Sequence, residues 1–229
     1  MAPSLTILSS MATRLMLAEL AGSYRNRHGL RVELEAVGGV DAARRVEAGE
    51  AFDLVVLADA ALARLVAAGF LDAGTVTPIA CADVAVAVRE GSALPVIETE
   101  SALREAVLAA RTIGYSTGPS GQHLLKVFER WGIAQVVAPR IVQAPPGVPV
   151  GQLIAEGAVD LGFQQLSELI ALQGITVVGP LPPGIQITTT FTGAVCMRSG
   201  APEQARALLR DLADRGHDAL RRRHGMAPV

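Results

Sequence analysis

The chain has 229 residues, which is enough for one large domain or for two lobes of about 100 residues, each with its own buried core. Half of the residues are hydrophobic but only 3% are aromatic, so the apolar residues are mostly Ala, Val, Leu and Ile, which excludes a largely disordered chain and suits sheets packed under helices. The formal net charge of −2 offers no basic surface for nucleic acid, and no segment approaches the ~18 apolar residues of a membrane span, so we expect neither nucleic acid as a partner nor membrane insertion.

The N-terminal third alternates between strand and helix patterns. Short apolar or alternating runs predict three strands, at residues 5–8, 31–36 and 53–57. Apolar positions at helical spacing predict a helix from Thr13 and two more, over residues 41–48 and 60–68. Strands that alternate with helices predict a mostly parallel sheet covered on both faces.

Two longer strand patterns divide the chain into lobes. The apolar run Ile79–Val88 is interpreted as a first crossing, because the alternating pattern starts afresh after it. The threonine-rich segment Gln186–Cys196 is interpreted as the return crossing, and two C-terminal helices follow. Between the crossings the pattern predicts helices at 101–110, around 124–131 and at 150–156, and strands at 112–115, 140–143, 159–163 and 176–178. We therefore expect residues 1–80 plus 190–229 to form lobe 1, and residues 81–189 to form lobe 2.

Four predicted strand-to-helix turns share a composition of small residues. They are Ser9-Ser10-Met11-Ala12, Gly38-Gly39-Val40-Asp41, Thr117-Gly118-Pro119-Ser120-Gly121 and Pro145-Pro146-Gly147-Val148-Pro149. Small residues let the backbone approach a ligand, and the N–H groups at a helix start favour an anion. Each turn alone is more typical of an ordinary connection than of a ligand site. Together they predict an anion site, because open α/β sheets bind ligands at the carboxyl ends of their strands.

Other polar residues fall close to these turns. Gln164 and Gln165 follow the predicted strand 159–163 and carry amides that can donate to an anion without adding charge, unless they form a solvated surface turn. Arg44 can bind a carboxylate in a bidentate fashion, or pair with a nearby acid such as Glu47. The candidate ligand-binding residues are Ser9, Ser10, Met11, Gly38, Gly39, Arg44, Thr117, Ser120, Gly121, Val148, Gln164 and Gln165.

The sequence contains no familiar catalytic or cofactor motif. There is no phosphate loop ending in Lys-Ser or Lys-Thr, no nucleophile elbow and no zinc-type spacing, so we expect no cofactor and no metal. Cys81 and Cys196 are expected to be inert core residues. The basic run Arg221–Arg223 is expected to form an exposed turn of a C-terminal helix. His123, one turn into the helix that starts near Ser120, is the candidate general base if the protein is an enzyme.

Several stretches resemble the molybdate-type periplasmic solute-binding proteins, in that family's order. They are the opening strand with Ser9-Ser10, the stretch Arg44–Asp59, the turn Gly118-Pro119-Ser120-Gly121, the run Ala158–Phe163 and the closing His224-Gly225-Met226. The resemblance covers nearly the whole chain. It implies an α/β class II periplasmic-binding-protein fold, in which two lobes joined by two crossing strands close around a ligand in the cleft between them.

The resemblance also shows where this chain departs from the family. The family holds its oxyanion with serine hydroxyls, backbone amides and a tyrosine hydroxyl, and Ser9 or Ser10 matches the first serine. Gly38-Gly39 stands where the second serine is usual, and Gln164-Gln165 stands where the tyrosine is usual. These departures favour a carboxylate-bearing ligand over molybdate or tungstate.

Two functions follow as expectations. The first is binding of a small anionic solute, a carboxylate or an oxyanion, as the substrate-binding component of an importer of the ABC type, with the importer's membrane components as partners. The alternative is a cofactor-free isomerase of a polycarboxylate such as aconitate, because this chain also resembles aconitate isomerase, which looks like a relative built on the same fold. The start Met1-Ala2-Pro3-Ser4 carries no secretion signal, so we expect a periplasmic protein if a signal peptide has been removed and a cytoplasmic one otherwise.

Overall fold

In the computed structural model, residues 4–229 are described and fold as two compact units. The first unit extends to Ala82 and resumes at Thr189, and the second extends from Asp83 to Thr188. The chain passes from one unit to the other within the fourth strand and again at the start of the ninth. Residues 1–3, which belong to the start considered above for a signal peptide, lie outside the described residues. Within residues 4–229, no helix is both long enough and apolar enough to cross a bilayer.

The first unit is built on a mixed sheet with the order β2-β1-β3-β9. Its strands are β1 (Ser4–Ser10), β2 (Arg31–Val37), β3 (Leu54–Ala58) and β9 (Thr188–Val195), together with the start of β4 (Thr77–Arg89). Strand β1 pairs in parallel with β2 and β3, and β9 runs antiparallel to β3. Its helices are α1 (Arg14–His28), α2 (Gly39–Glu47), α3 (Asp59–Ala67), α9 (Pro202–Ala213) and α10 (Asp218–Arg223).

Strand alternation places this sheet between two hydrophobic layers. Leu54 and Val56 of β3 join the buried cluster packed by α1 and α9, whereas Val55 and Leu57 join the cluster packed by α2 and α3. All four side chains are fully buried. A strand buried on both faces is typical of a parallel sheet covered by helices, so the α/β prediction is confirmed for this unit.

The second unit repeats the plan with the strand order β4-β7-β5-β6, and β8 also pairs with β4. Its further strands are β5 (Ile113–Tyr115), β6 (Ile141–Gln143), β7 (Leu161–Gln165) and β8 (Ile175–Pro180). Strand β5 pairs in parallel with β6 and β7, and β4 runs antiparallel to β7 and β8. Its helices are α4 (Glu100–Ala109), α5 (Pro119–Arg130), α6 (Ala134–Val137), α7 (Val150–Ala155) and α8 (Leu166–Leu169).

Strand β7 lies two residues later than the sequence pattern predicted, so the placement of Gln164 and Gln165 after a strand was wrong. The strand begins at Leu161 because Asp160 is held by side chains before it: the Thr112 hydroxyl accepts from its backbone N–H, and Arg111 donates to its carboxylate. It extends to Gln165 because that residue lies opposite Val84 of β4 in the antiparallel pair. Both amides are therefore buried strand residues and not a solvated turn.

Arg221 also departs from expectation, because the exposed turn predicted for Arg221–Arg223 holds only for the last two residues. The Arg221 side chain is 1% exposed, and its guanidinium donates to the carbonyl oxygens of Ile79, Leu212 and Asp214 at 2.7–2.8 Å. It also pairs with the Asp218 carboxylate at 2.8 Å. A buried guanidinium is tolerated because each of its nitrogens is bonded, and it ties the C-terminal helices to β4.

We expect Arg221→Ala to lower the free energy of unfolding by about 3–5 kcal/mol, because the substitution leaves the Asp218 carboxylate and three carbonyl groups without their donor. Arg222→Ala is the matched control, since Arg222 is exposed in the same helix. Urea denaturation monitored by circular dichroism measures both variants. Equal effects of the two substitutions would contradict the structural role given to Arg221.

Candidate functional site

In the first unit, parallel pairing brings three strand-to-helix turns to one edge of the sheet. Ser9 lies opposite Val56 of β3, and Ser10 lies opposite Val37 of β2. Because the three strands run in the same direction, the turns that follow them all begin at this edge. They are the turn after Ser10, the turn at Gly38-Gly39 and the start of α3 at Asp59.

The Ser10 hydroxyl is the notable polar group at this edge. Ser10 is 7% exposed, and no group within residues 4–229 forms a hydrogen bond with its Oγ. The Ser10 carbonyl accepts from the Ser9 hydroxyl at 3.3 Å and from the Thr13 hydroxyl at 3.1 Å. The Ser9 hydroxyl is thus used within the turn, whereas the Ser10 hydroxyl remains available to a ligand.

Gly39 lies against Ser10 and begins a nine-residue helix. A Cβ atom built on Gly39 would lie 3.9 Å from the Ser10 Cβ, so the two turns are adjacent. Gly38 is the N-cap of α2, and the first bond of the helix is donated by Ala42 to the Gly38 carbonyl at 2.9 Å. The N–H groups of the preceding helical residues have no partner within the helix, and the helix dipole makes this end positive. The Ser10 hydroxyl and the α2 start therefore form one candidate group for anion binding.

Arg44 is placed on the outer side of α2. Its side chain is 71% exposed and pairs with Asp41 of the same helix. Glu47, the partner considered from the sequence, is not the acid it contacts. The neighbouring Arg45 pairs with Glu35 and with Glu50, the latter at 2.7 Å. The positive charges of α2 are thus compensated by surface carboxylates.

The second unit also brings its turns to one edge, since β5 pairs in parallel with β6 and β7. After β5, Gly118 is the N-cap of α5 and Pro119 is in its first turn. Ser120 is 3% exposed, and its Oγ is another buried hydroxyl without a partner in the described part of the chain. A Cβ on Gly121 would lie 2.0 Å from the Ser116 carbonyl oxygen, so the first turn of α5 packs directly on the end of β5.

The buried Gln164 side chain caps the helix start that follows the remaining predicted turn, at the beginning of α7. Its Oε1 accepts from the N–H groups of Val150 at 2.8 Å and Gly151 at 3.4 Å, which are the first residues of α7. Its Nε2 donates to the Glu168 carboxylate at 2.6 Å. The amide thus occupies the α7 start, where the sequence led us to expect a ligand.

The other candidates have distinct positions. Gln165 is 6% exposed at the N-cap position of α8, Val148 is half-buried in a turn where its N–H bonds the Pro145 carbonyl, and His123 is exposed on α5. The binding roles predicted for Met11, Thr117, Val148 and Gln165, and the catalytic role predicted for His123, stay predictions.

Two polar residues at these edges were missed by the sequence reasoning. Ser167 in α8 is 4% exposed, and its Oγ is also unbonded within residues 4–229. Asp59, the first residue of α3, accepts a hydrogen bond from the buried Thr192 hydroxyl at 3.2 Å. Ser167 gave no signal because α8 itself was not predicted. Asp59 could have been found from the sequence, because it is an acidic residue directly after a buried strand.

Neither cysteine contributes to a reactive or metal-binding cluster. Burial raises the pKa of the Cys196 thiol to about 12, so this thiol stays protonated at neutral pH. Cys81 is half-buried, with its sulfur 3.5 Å from the Thr190 hydroxyl. The described residues contain no group of three or more His, Cys, Asp or Glu side chains placed to hold a metal ion.

Solved structures of two anion-binding proteins share this fold across nearly the whole chain. The periplasmic molybdate-binding protein of Azotobacter vinelandii has a TM-score of 0.83 at 19% identity, covering 98% of this chain and 99% of its own. The sulfate-binding protein of Mycobacterium tuberculosis has a TM-score of 0.79 at 18% identity, covering 99% of this chain and 87% of its own. The class II periplasmic-binding-protein fold is thereby confirmed.

A family model described as bacterial extracellular solute-binding protein matches residues 5–227, and the chain belongs to this family. An aconitate isomerase from Pseudomonas sp. is 33% identical over 232 residues, which cover 99% of this chain and 88% of that protein. The resemblance inferred from the sequence is therefore confirmed at the level of the family.

The two glycines at the helix starts are expected to differ in what they tolerate. Gly121→Ala should lower the free energy of unfolding by about 1–3 kcal/mol, because the new methyl group overlaps the Ser116 carbonyl oxygen. Gly39→Ala should leave it unchanged or raise it by up to about 1 kcal/mol, because the new methyl group would lie at an ordinary contact distance of 3.9 Å from the Ser10 Cβ and alanine favours a helix. Chemical denaturation measures both, and the reverse order would refute the packing described for these turns.

Proposed function

We propose that the protein binds a small polycarboxylate anion, and that a serine-bearing helix start in each unit, at Ser10 in the first and at Ser120 in the second, can receive a ligand carboxylate. The observation that carries the proposal is that both hydroxyls are buried and unbonded within residues 4–229. Leaving such a group without a partner costs about 1–3 kcal/mol. A ligand carboxylate beside a helix start supplies that partner and also meets the positive end of the helix dipole.

A carboxylate fits the available donors better than a tetrahedral metal oxyanion does. The second turn of the first unit offers Gly38 and Gly39, whose contribution is backbone N–H groups only. In the second unit, the Gln164 amide already bonds Val150 and Glu168. A carboxylate is a planar acceptor group, and a helix start with one serine hydroxyl can donate to it through that hydroxyl and its backbone N–H groups. The name of the 33% identical relative, aconitate isomerase, points to the same class of ligand.

The second candidate function is isomerisation of aconitate, and the specific observation in its favour is that relative. The alignment with that relative covers 99% of this chain, so every turn described above lies in the aligned region. Isomerisation needs an anion site, which the helix starts supply, and a group that moves a proton between two carbon atoms. Binding is common to both candidates, and only proton transfer separates them.

The solute-binding role brings a partner and a location with it. Members of a family described as extracellular solute-binding proteins act outside the cytoplasm, and we infer the same for this chain. As a substrate-binding component, it would deliver its anion to the membrane components of an ABC importer. Capture of detergent-solubilised importer components by the anion-loaded protein, and not by a variant that cannot bind the anion, would support this role.

We expect trans-aconitate, cis-aconitate and citrate to raise the melting temperature more than molybdate, sulfate or phosphate do. A ligand at about 100 times its dissociation constant stabilises the folded state by about 2.7 kcal/mol, which is readily seen in a thermal melt. Stabilisation by molybdate alone would contradict the carboxylate assignment.

We further expect Ser10→Ala and Ser120→Ala each to keep or raise the stability of the protein while weakening ligand binding. Each removes a buried unbonded hydroxyl, so the free energy of unfolding without ligand should stay constant or rise, while ligand binding should weaken by about 1–3 kcal/mol. Urea denaturation and titration calorimetry with citrate measure the two quantities. The control is Ser92→Ala in an exposed turn, for which we expect neither effect. Unchanged affinity in both serine variants would place these hydroxyls outside the site.

The isomerase candidate is tested by incubating the protein with trans-aconitate and following the vinyl proton signals by NMR. We expect cis-aconitate to accumulate until the ratio of the two isomers is constant. Tight binding without conversion would end this candidate and leave the solute-binding role.

A further inference from the structure

Asp59 places an acidic side chain at the sheet edge that carries Ser10 and Gly39. It is the first residue of α3 and follows β3 directly. Because Val56 of β3 lies opposite Ser9 of β1 in a parallel pair, the residues after Val56 run beside the turn that begins at Ser10. The start of α3 is therefore the neighbour of the candidate group for anion binding formed by Ser10 and the α2 start.

The Asp59 carboxylate is oriented by one hydrogen bond. The Thr192 hydroxyl donates to its Oδ1 at 3.2 Å, and Thr192 is only 1% exposed on β9, opposite Leu57. Asp59 itself is exposed, so the carboxylate is reachable from solvent. Within residues 4–229 it forms no salt bridge, whereas the first-turn acid of α2, Asp41, pairs with Arg44. The charge is thus positioned without being compensated by a cation.

A fixed negative charge beside an anion site weakens binding, because like charges repel. An acid in the first turn of α3 stabilises that helix through the dipole, but this explains neither the buried threonine that orients it nor its place beside Ser10. A carboxylate within reach of a bound carbon acid has a further use, since it can accept a proton from carbon. The position is suited to proton transfer.

We propose that Asp59 is the general base that moves the allylic proton of a bound unsaturated tricarboxylate, an inference that rests on the isomerase candidate above. Asp59 takes a proton from the methylene carbon, and the electrons of that C–H bond form a new double bond to the central carbon. The electrons of the original double bond shift to the far carbon, which receives the proton back from Asp59. One C–H bond breaks and one forms, with no net gain of protons or electrons.

The other groups at this edge have matching roles in that step. Negative charge that develops on the carbon skeleton spreads onto the attached carboxylates. The Ser10 hydroxyl and the N–H groups at the start of α2 can donate to such a carboxylate and stabilise the developing charge. Thr192 is a positioning residue, because it acts only through Asp59.

The test compares Asp59→Asn with the wild-type protein, using trans-aconitate. Conversion to cis-aconitate should fall by about 10²–10⁴-fold, the usual contribution of a general base. Affinity measured by calorimetry should stay the same or increase, because a like charge is removed. In D₂O, the proton held by the exposed Asp59 carboxyl exchanges with solvent, so deuterium enters the methylene position, and this entry should be lost to the same extent in Asp59→Asn. Thr192→Val should lower conversion by a smaller factor and leave affinity unchanged.

Two further variants complete the comparison. Glu203→Gln removes a first-turn acid from α9, where the side chain is 81% exposed, and should leave conversion unchanged. His123→Asn removes the competing base considered from the sequence and shows which of the two residues moves the proton. Melting curves show whether each variant is folded. Full conversion by Asp59→Asn, or loss of conversion in His123→Asn alone, would overturn the assignment to Asp59.

The controls separate the failure of this inference from failure of the proposed function. If the wild-type protein binds no tricarboxylate, the binding proposal itself is wrong. If it binds trans-aconitate but neither converts it nor exchanges its methylene protons, the isomerase candidate and the role of Asp59 fail together while binding stands. If the Asp59→Asn variant converts trans-aconitate as fast as the wild-type protein does, only the role of Asp59 is wrong.

Discussion

Parallel pairing of β1 with β2 and β3, and of β5 with β6 and β7, is the constraint on which both helix-start groups depend. Strands that run in the same direction must each be followed by a connection that begins at the same edge of the sheet. Each unit therefore collects several helix starts at one edge without any contact dedicated to that purpose. The positive ends of these helices and their unpaired N–H groups make the edge suitable for an anion before any side chain is considered.

Side chains then distinguish one helix start from another. At α7 the Gln164 amide bonds the first N–H groups of the helix, and that start is stabilised from within the protein. At α2 and α5, glycine N-caps leave the start uncovered, and a buried serine hydroxyl without a partner in the described residues lies at or beside it. The first arrangement favours stability. The second leaves polar groups unsatisfied, as expected if these groups bind the ligand that we propose.

Most of the fold was predictable from the sequence because its signals are local. The continuous apolar run of β3 and the helical spacing in α1 report which residues are buried. Such patterns predicted most elements of both units, although the short helices α6 and α8 were not predicted. Residues whose partners are distant in sequence were not predictable. The burial of Arg221 depends on the Ile79 carbonyl far along the chain, and the end of β7 depends on its pairing with β4. For the site, the small-residue turns pointed to Ser10 and Ser120, but the use of Gln164 inside the protein and the Thr192–Asp59 contact required the structure.

The central claim is that the buried hydroxyls of Ser10 and Ser120 receive ligand carboxylates. A crystal structure of the protein with bound citrate or aconitate tests it most directly. We expect each Oγ to lie about 2.5–3.0 Å from a ligand carboxylate oxygen, the normal range for a hydrogen bond between oxygens. A ligand bound elsewhere, with both hydroxyls bonded only to protein or water, would contradict the claim.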